Sequence, residues 1–375
     1  MLNTMLCSEK KVALITGVLG HDGVYLAAFL LDKGYFVHVI KKQGYFFNSE
    51  LVIALCQDSP LIDRHIILHD NDSKDSTNLS AIIQKVQPDE IYNLGAQSLD
   101  KRSNKSPEYC VNVDELGILR ILEAVRLLGL TDKCRIYHGS SSEISSLLQE
   151  EGKDKVAPFC SSSSYALSQL YEYWTTVNYR DTYQMYACNA ILLNHENPLE
   201  AAEAHKIIKA IARIALGMQD RLYLENLSVQ RKWGNAKDYV EAIWLTLQQN
   251  KAADHVIDTG LTSTIREFIR LSFAELGIEV EFCGRGEQEK GVIIDIDEER
   301  LANLNIDKDA IKFGQTVVKI EEPIFSPLKV DFISMDTDKT KISLKWTPKY
   351  DLRMLINEMM YSGLSQVREE EFSQE

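Results

Sequence analysis

The chain is short of positive charge: 41 lysines and arginines stand against 55 aspartates and glutamates, a formal net charge of −14. That deficit argues against non-specific nucleic-acid binding and against an anionic membrane surface, both of which need a cationic footprint. A phosphate-rich ligand would have to be held by a local cluster of cations, against the field of the whole chain. Long apolar runs are missing too, none approaching the ~20 residues of a bilayer span. Met1 to Lys10 lacks a charged-then-apolar leader, so the expected location is the cytoplasm. The seven cysteines (7, 56, 110, 134, 160, 188 and 283) are scattered, odd in number and without a C-x-x-C pair. This reads as reduced thiols, with no disulfide framework and no metal site. There is no internal repeat and no low-complexity tract.

What remains is an ordinary globular composition, 45% hydrophobic and 26% charged over 375 residues, long enough for a large domain and a smaller one. From Lys11 onward, short β-branched runs alternate with amphipathic stretches. Strands are expected at Val12 to Ile15, Tyr35 to Ile40, Glu90 to Asn93 and Arg135 to Tyr137, with helices at Val24 to Asp32 and around Glu115 to Leu128. Such alternation predicts an α/β fold, a Rossmann-like doubly wound parallel sheet. The pattern places this domain at residues 11–193, with later returns near 233–260. A smaller C-terminal α/β domain for substrate takes residues 194–232 and 261–363, and residues 1–10 and 364–375 are tails. Beyond Leu193 the pattern predicts helices at His205 to Gly217, Ala236 to Asn250 and Asp351 to Met360, a strand at Arg221 to Leu224, and a late strand of the parallel sheet at Val256 to Asp258. The charged stretch from Gly284 to Glu322 reads as a poorly packed surface excursion, and the acidic tail from Glu369 as frayed.

Gly17, Gly20, His21, Asp22 and Gly23 lie in a glycine-rich turn between the first strand and the first helix. Gly17 allows a tight turn, Gly20 lets a pyrophosphate approach the backbone, and Gly23 lets helix and strand pack closely. The second strand ends in His38-Val39-Ile40-Lys41-Lys42, with no acid in reach to bind a ribose 2′-hydroxyl. Lys41 and Lys42 therefore favour NADP over NAD; each taken singly could equally be a solvated surface lysine. Asp72 could accept from an adenine amine or cap a helix. Ser140-Ser141-Ser142-Glu143 follows another strand, and Tyr165 opens the next helix. A hydroxyl, a carboxylate and a phenol make a proton-transfer set, with Ser141 and Tyr165 on a sugar hydroxyl and Glu143 as acid or base at a neighbouring carbon. The same residues could be a serine-rich loop, a capping Glu and a core tyrosine.

With these residues in hand, the chain resembles the GDP-mannose 4,6-dehydratase family of extended short-chain dehydrogenases/reductases, from about Lys11 to Leu364. The most specific stretches are Ile15 to Leu26, Gln87 to Ser98, Ala187 to Glu196 and Trp233 to Val240. The resemblance implies a lyase of GDP-fucose biosynthesis. A tightly held NADP takes hydride from C4 of the mannosyl group, water leaves across C5–C6, and the hydride returns to C6 to give GDP-4-keto-6-deoxymannose. It implies that Ser141 stands for a catalytic Thr, that Glu143 is the C5 base and that Tyr165 deprotonates the C4 hydroxyl. Asp72, Leu94, Gly95, Ala96, Gln97, Ser98, Tyr109 and His195 match cofactor positions, and Asn194 and Arg231 match substrate positions. GDP-mannose or a related nucleotide sugar is the implied ligand, and a homo-oligomer, dimer before tetramer, the implied assembly.

The departures from the family share a sign. Gln169, four residues after Tyr165, stands where the motif Tyr-x-x-x-Lys has its cation. Asn197-Pro198-Leu199-Glu200-Ala201 replaces a stretch with two arginines, Ile324-Phe325-Ser326-Pro327 replaces one that would clamp the diphosphate, and Gln43 replaces a further arginine. Each charge-assisted contact contributes ~1.5–3 kcal/mol. Without the Lys, a Tyr165 phenol of pKa about 10 would be ionised in roughly one molecule in a thousand at pH 7. Three readings stay open: a dehydratase, impaired or not; a silent homologue, a pseudoenzyme that binds or regulates an intact paralogue in a hetero-oligomer; and an enzyme shifted to another nucleotide sugar, with Lys101 or Arg102 supplying replacement charge.

Overall fold

Val12 to Ile15 is apolar at consecutive positions, a pattern that needs cover on both faces and so belongs inside a parallel sheet. The computed structural model, which describes residues 10–16, 21–41, 66–70, 76–94, 116–141, 144, 164–194, 203–321 and 338–372, places it there. The chain divides into two units: Met1–Leu193, Tyr239–Ile257 and Met335–Thr347 form unit 1, and Asn194–Asp238, Asp258–Ser334 and Pro348–Glu375 form unit 2.

Unit 1 opens with β1 (Val12–Thr16), α1 (His21–Asp32), β2 (Phe36–Lys41), β3 (Ile66–Asp70), α2 (Ser76–Val86) and β4 (Glu90–Asn93). It continues with α3 (Leu116–Leu127), β5 (Arg135–Ser141), α4 (Ser164–Tyr183) and β6 (Ala187–Leu192). The helices form because their apolar residues recur at helical spacing: in α2, Leu79, Ile82, Ile83 and Val86 are buried along one stripe. Unit 2 then begins with α5 (Glu203–Ala215), β7 (Leu222–Leu224) and β8 (Gln230–Trp233). After α6 (Ala236–Thr246), β9 (His255–Ile257) joins β6 as the seventh strand of the first sheet. That sheet runs β3-β2-β1-β4-β5-β6-β9, every pair parallel, and its order reverses between β1 and β4.

The chain returns to unit 2 with β10 (Leu261–Thr264), which pairs antiparallel with β8, and with α7 (Ile265–Glu275) and β11 (Ile278–Cys283). Thr264 caps α7 by accepting from the Glu267 amide at 3.2 Å, as the spacing Thr-x-x-Glu requires. Next come β12 (Lys290–Ile296), α8 (Glu298–Asn303) and β13 (Thr316–Ile320), giving a sheet of order β11-β12-β13-β7. The stretch expected to be a loose excursion from Gly284 to Glu322 is therefore the body of this sheet, with Ile293, Leu301, Ile306, Ile311, Val317 and Val318 buried. Bulges at Glu279/Val280 and Gly291/Val292 break the two-residue alternation that would have announced the strands.

α9 (Asp338–Leu344) lies in a segment of unit 1 that the sequence pattern does not announce, and α10 (Leu352–Phe372) ends the described chain in unit 2. The tail expected to fray from Glu369 is helical to Phe372, and Glu370 accepts from Lys209 at 2.7 Å and Arg213 at 2.8 Å on α5. α10 and α5 approach closely at Gly363, where a Cβ would sit 2.6 Å from Ile208 Cγ2. Trp233 and Phe268 stack at 4.2 Å in the same core.

Candidate active site

A doubly wound sheet offers its ligand crevice at the C-terminal ends of the strands, where the strand order reverses. Here that point lies between β1 and β4, and the register puts Thr16 beside Asn93 and Asn93 beside His138. Three neighbouring strand ends thus contribute a hydroxyl, an amide and an imidazole, and Ser140 and Ser141 extend the series along β5.

These groups form a buried seam that continues onto α4. Thr16 Oγ1 donates to Asn93 Oδ1 at 2.6 Å, leaving the Asn93 amide nitrogen 3.0 Å from His138 Nδ1. With the amide in that orientation it donates to Nδ1, so the imidazole hydrogen of a neutral His138 sits on Nε2. That nitrogen lies 3.4 Å from Glu172 Oε2 without an aligned hydrogen bond. Gln169 Nε2 donates to the same oxygen at 2.6 Å, and Gln169 Oε1 accepts from the Ser141 backbone N–H at 3.0 Å. Gln169 is 0% and Glu172 2% exposed. Burial costs these groups their water, so the contacts between them must replace it.

The replacement is incomplete at the strand ends. Tyr137 Oη, His138 Nε2, Ser140 Oγ and Asn189 Oδ1 are buried with no hydrogen-bond partner among the described residues. Burial holds the Tyr137 phenol well above the usual tyrosine range, and the charge of Asp22 adds to the effect. Unsatisfied buried polar groups are rare in folded proteins and mark places where something other than stability is served.

Of the residues singled out from sequence, Ser141 is the last residue of β5, inside the strand and not in the loop after it. Tyr165 lies in the first turn of α4, four residues before Gln169, and His21 and Asp22 lie in the first turn of α1, with Gly23 buried behind them. The Leu94 amide donates to the Thr16 carbonyl at 3.2 Å. Asn194 donates to the Lys232 carbonyl at 3.0 Å, next to Arg231 on β8, so this pair is brought together within unit 2. The side chains of His21 and Tyr165 lie outside the described residues, as do Gly17, Gly20, Lys42, Asp72, Gly95, Ala96, Gln97, Ser98, Tyr109, Glu143 and His195.

One expectation changes. An acid does reach the end of β2: Lys41 stands in register with Asp70 of β3 and forms an ion pair with it. The partner comes from the neighbouring strand, so a search along β2 alone misses it. Gln169, at the position of the family's cation, is enclosed between the Ser141 backbone N–H and Glu172. Asn93, His138 and Glu172 escaped notice because each looks like a solitary polar residue in sequence. The only signal was the i, i+3 spacing of Gln169 and Glu172 on one helix face.

A sequence profile described as GDP-mannose 4,6 dehydratase matches residues 14–359. The GDP-mannose 4,6-dehydratase of Vibrio cholerae serotype O1 is 45% identical over 362 residues, covering 96% of this chain and 95% of its own. Among solved structures, the dTDP-glucose 4,6-dehydratase of Bacillus anthracis in complex with NAD has a TM-score of 0.61 at 18% identity, covering 94% of this chain and 96% of its own. RMD from Pseudomonas aeruginosa complexed with NADPH has a TM-score of 0.65 at 16% identity, covering 95% of this chain and 100% of its own. The chain belongs to the GDP-mannose 4,6-dehydratase family.

Proposed function

We propose that the protein dehydrates a GDP-linked hexose, with GDP-mannose as the first substrate and NADP as the cofactor. The observation that carries this is the likeness at 45% identity across 96% of the chain, which extends through both units. In this reading the nicotinamide supplies the hydride-accepting and hydride-returning chemistry. The chain's own part is to bind, orient and move protons. Ser141 and Tyr165 hold and deprotonate the C4 hydroxyl, Glu143 exchanges the C5 proton, and Asn194 and Arg231 engage the substrate. The strand ends fit a dinucleotide because the sheet reverses at β1 and β4 and α1 starts just beyond β1. Lys41 supports a 2′-phosphate, in competition with Asp70.

Position 169 does not fit the family's cation, and this favours a second reading, a slow or silent member that acts as a partner of an intact dehydratase. Leu167, Tyr171 and Trp174 form an exposed apolar stripe on α4 at helical spacing. A second copy of the chain covering that stripe in an isologous dimer is the assembly the stripe supports. The decisive test is incubation of the purified protein with GDP-mannose and NADP, read by mass spectrometry for loss of one water. Product at rates ordinary for enzymes removes the silent reading; no product over hours, with NADP bound, removes the dehydratase. Trp174→Glu is expected to halve the mass seen by light scattering, and an unchanged mass would remove this dimer.

A further inference from the structure

Glu172 is a carboxylate with only 3% of its side chain exposed. Oε2 accepts from Gln169 at 2.6 Å and faces His138 Nε2 at 3.4 Å. A carboxylate can only accept, so it draws the amide nitrogen of Gln169 and leaves the amide oxygen for the Ser141 N–H. The orientation of Gln169 is thereby set from inside the protein by its i+3 neighbour. A lysine at 169 would meet the same carboxylate at ordinary i, i+3 distance, and a buried Lys–Glu pair is far stronger than one in water. We propose that Glu172 is a positioning residue that captures whatever side chain stands at 169 and decides whether a cation there can serve the cofactor and Tyr165. This rests on the reading of the site as a nicotinamide-dependent dehydratase. On this view the loss of the family's cation involves two positions, 169 and 172, and reversing the first alone restores nothing.

Four full-length proteins test it: the unsubstituted chain, Gln169→Lys, Glu172→Gln and the double variant, with Glu172→Gln chosen because it keeps the volume and one acceptor. NADPH affinity is read by nicotinamide fluorescence titration. Gln169→Lys alone is expected to bind within about twofold of the unsubstituted chain, and the double variant at least about tenfold tighter, the worth of one charge-assisted contact. Equal tightening by the single and the double variant, or none by the double, would overturn the proposal. A second measurement needs no cofactor. In protein labelled with 15N-glutamine, the Gln169 side-chain resonance, identified by its loss in Gln169→Lys, should show one strongly downfield, slowly exchanging proton that moves upfield in Glu172→Gln. A solvent-exchanging Gln169 amide indifferent to Glu172→Gln overturns the capture itself. If NADPH binds none of the four proteins, the cofactor reading fails, and the amide spectrum alone decides the role of Glu172.

Discussion

The two ends of the seven-stranded sheet treat buried polarity in opposite ways. At the start of β4, Glu90 is 1% exposed and fully engaged: Oε1 accepts from Lys11 at 2.8 Å, Gln248 at 3.1 Å and Tyr35 at 3.2 Å, and Oε2 from Tyr92 at 2.7 Å. At the other end of the strands, Ser140 Oγ and His138 Nε2 are equally buried and have no hydrogen-bond partner among the described residues. One end is a closed polar cluster that ties the base of the sheet together; the other leaves groups open where a doubly wound sheet receives its ligand. Polar burial by itself therefore says little about chemistry. Whether the buried groups are satisfied is what separates a structural cluster from a candidate site.

The largest effect should come from breaking the closed end. Glu90→Ala leaves the Tyr92 and Tyr35 hydroxyls without their acceptor and the Lys11 ammonium with Gln248 Oε1 but no carboxylate, and is expected to lower stability by about 3–5 kcal/mol in urea unfolding. A loss below about 1 kcal/mol would dissolve the distinction between the two ends. A second closed cluster sharpens it through pH. Asp254 accepts from Arg180 at 2.8 and 2.9 Å, from Tyr173 at 3.1 Å, and from the Asn189 backbone and side-chain nitrogens at 3.0 Å. Burial acts to raise its pKa, but the Arg180 hydrogen bonds and charge, with the Asn189 donors, outweigh it and hold the carboxyl below the usual range. A depressed carboxyl pKa stabilises the fold above the unfolded value of about 3.9, and that contribution is lost as pH falls through the folded pKa. Asp254→Asn should therefore cost about 2 kcal/mol at pH 7, with the difference from the parent shrinking as pH drops below about 4. A pH-independent difference would assign the effect to packing.

At the open end the expected effects are functional or small. Asp70→Asn releases Lys41 and should raise the preference for NADPH over NADH by roughly tenfold in paired fluorescence titrations, while an exposed ion pair of this kind changes stability by under ~1 kcal/mol. An unchanged preference would remove Lys41 from the cofactor reading. Ser140→Ala discards a hydroxyl that has no partner among the described residues, so stability should hold or rise by up to about 1 kcal/mol. A clear loss in thermal unfolding would mean that the hydroxyl is satisfied after all and that this end is closed like the other.

The strands β1, β2, β4 and β5 and the helices α1 and α3 were legible because apolar residues repeat at strand or helix period within each short segment. In the four-stranded sheet only β7 was: β12 and β13 run through charge-rich sequence, and their buried face is set by partners many residues away and by bulges that break the period. The candidate site divides in the same way. Ser141, Tyr165 and Gln169 could be found from spacing along the chain, whereas Asn93, His138 and Glu172 gain meaning only from the register of β1, β4 and β5 against α4.

Local periodicity and family-specific stretches, both properties of neighbouring residues, were enough to place the parallel sheet, the family and the missing cation at 169. Tertiary structure alone decided what the glutamine at that position is engaged with. A lysine at the end of β2 looked uncommitted until β3 brought Asp70 beside it, and a glutamine on α4 was no more than a lost cation until Glu172 and the Ser141 amide enclosed it. Electrostatic commitments of this kind act through space over a few ångströms. They are fixed by which strand lies next to which, and that is settled only when the whole sheet has formed.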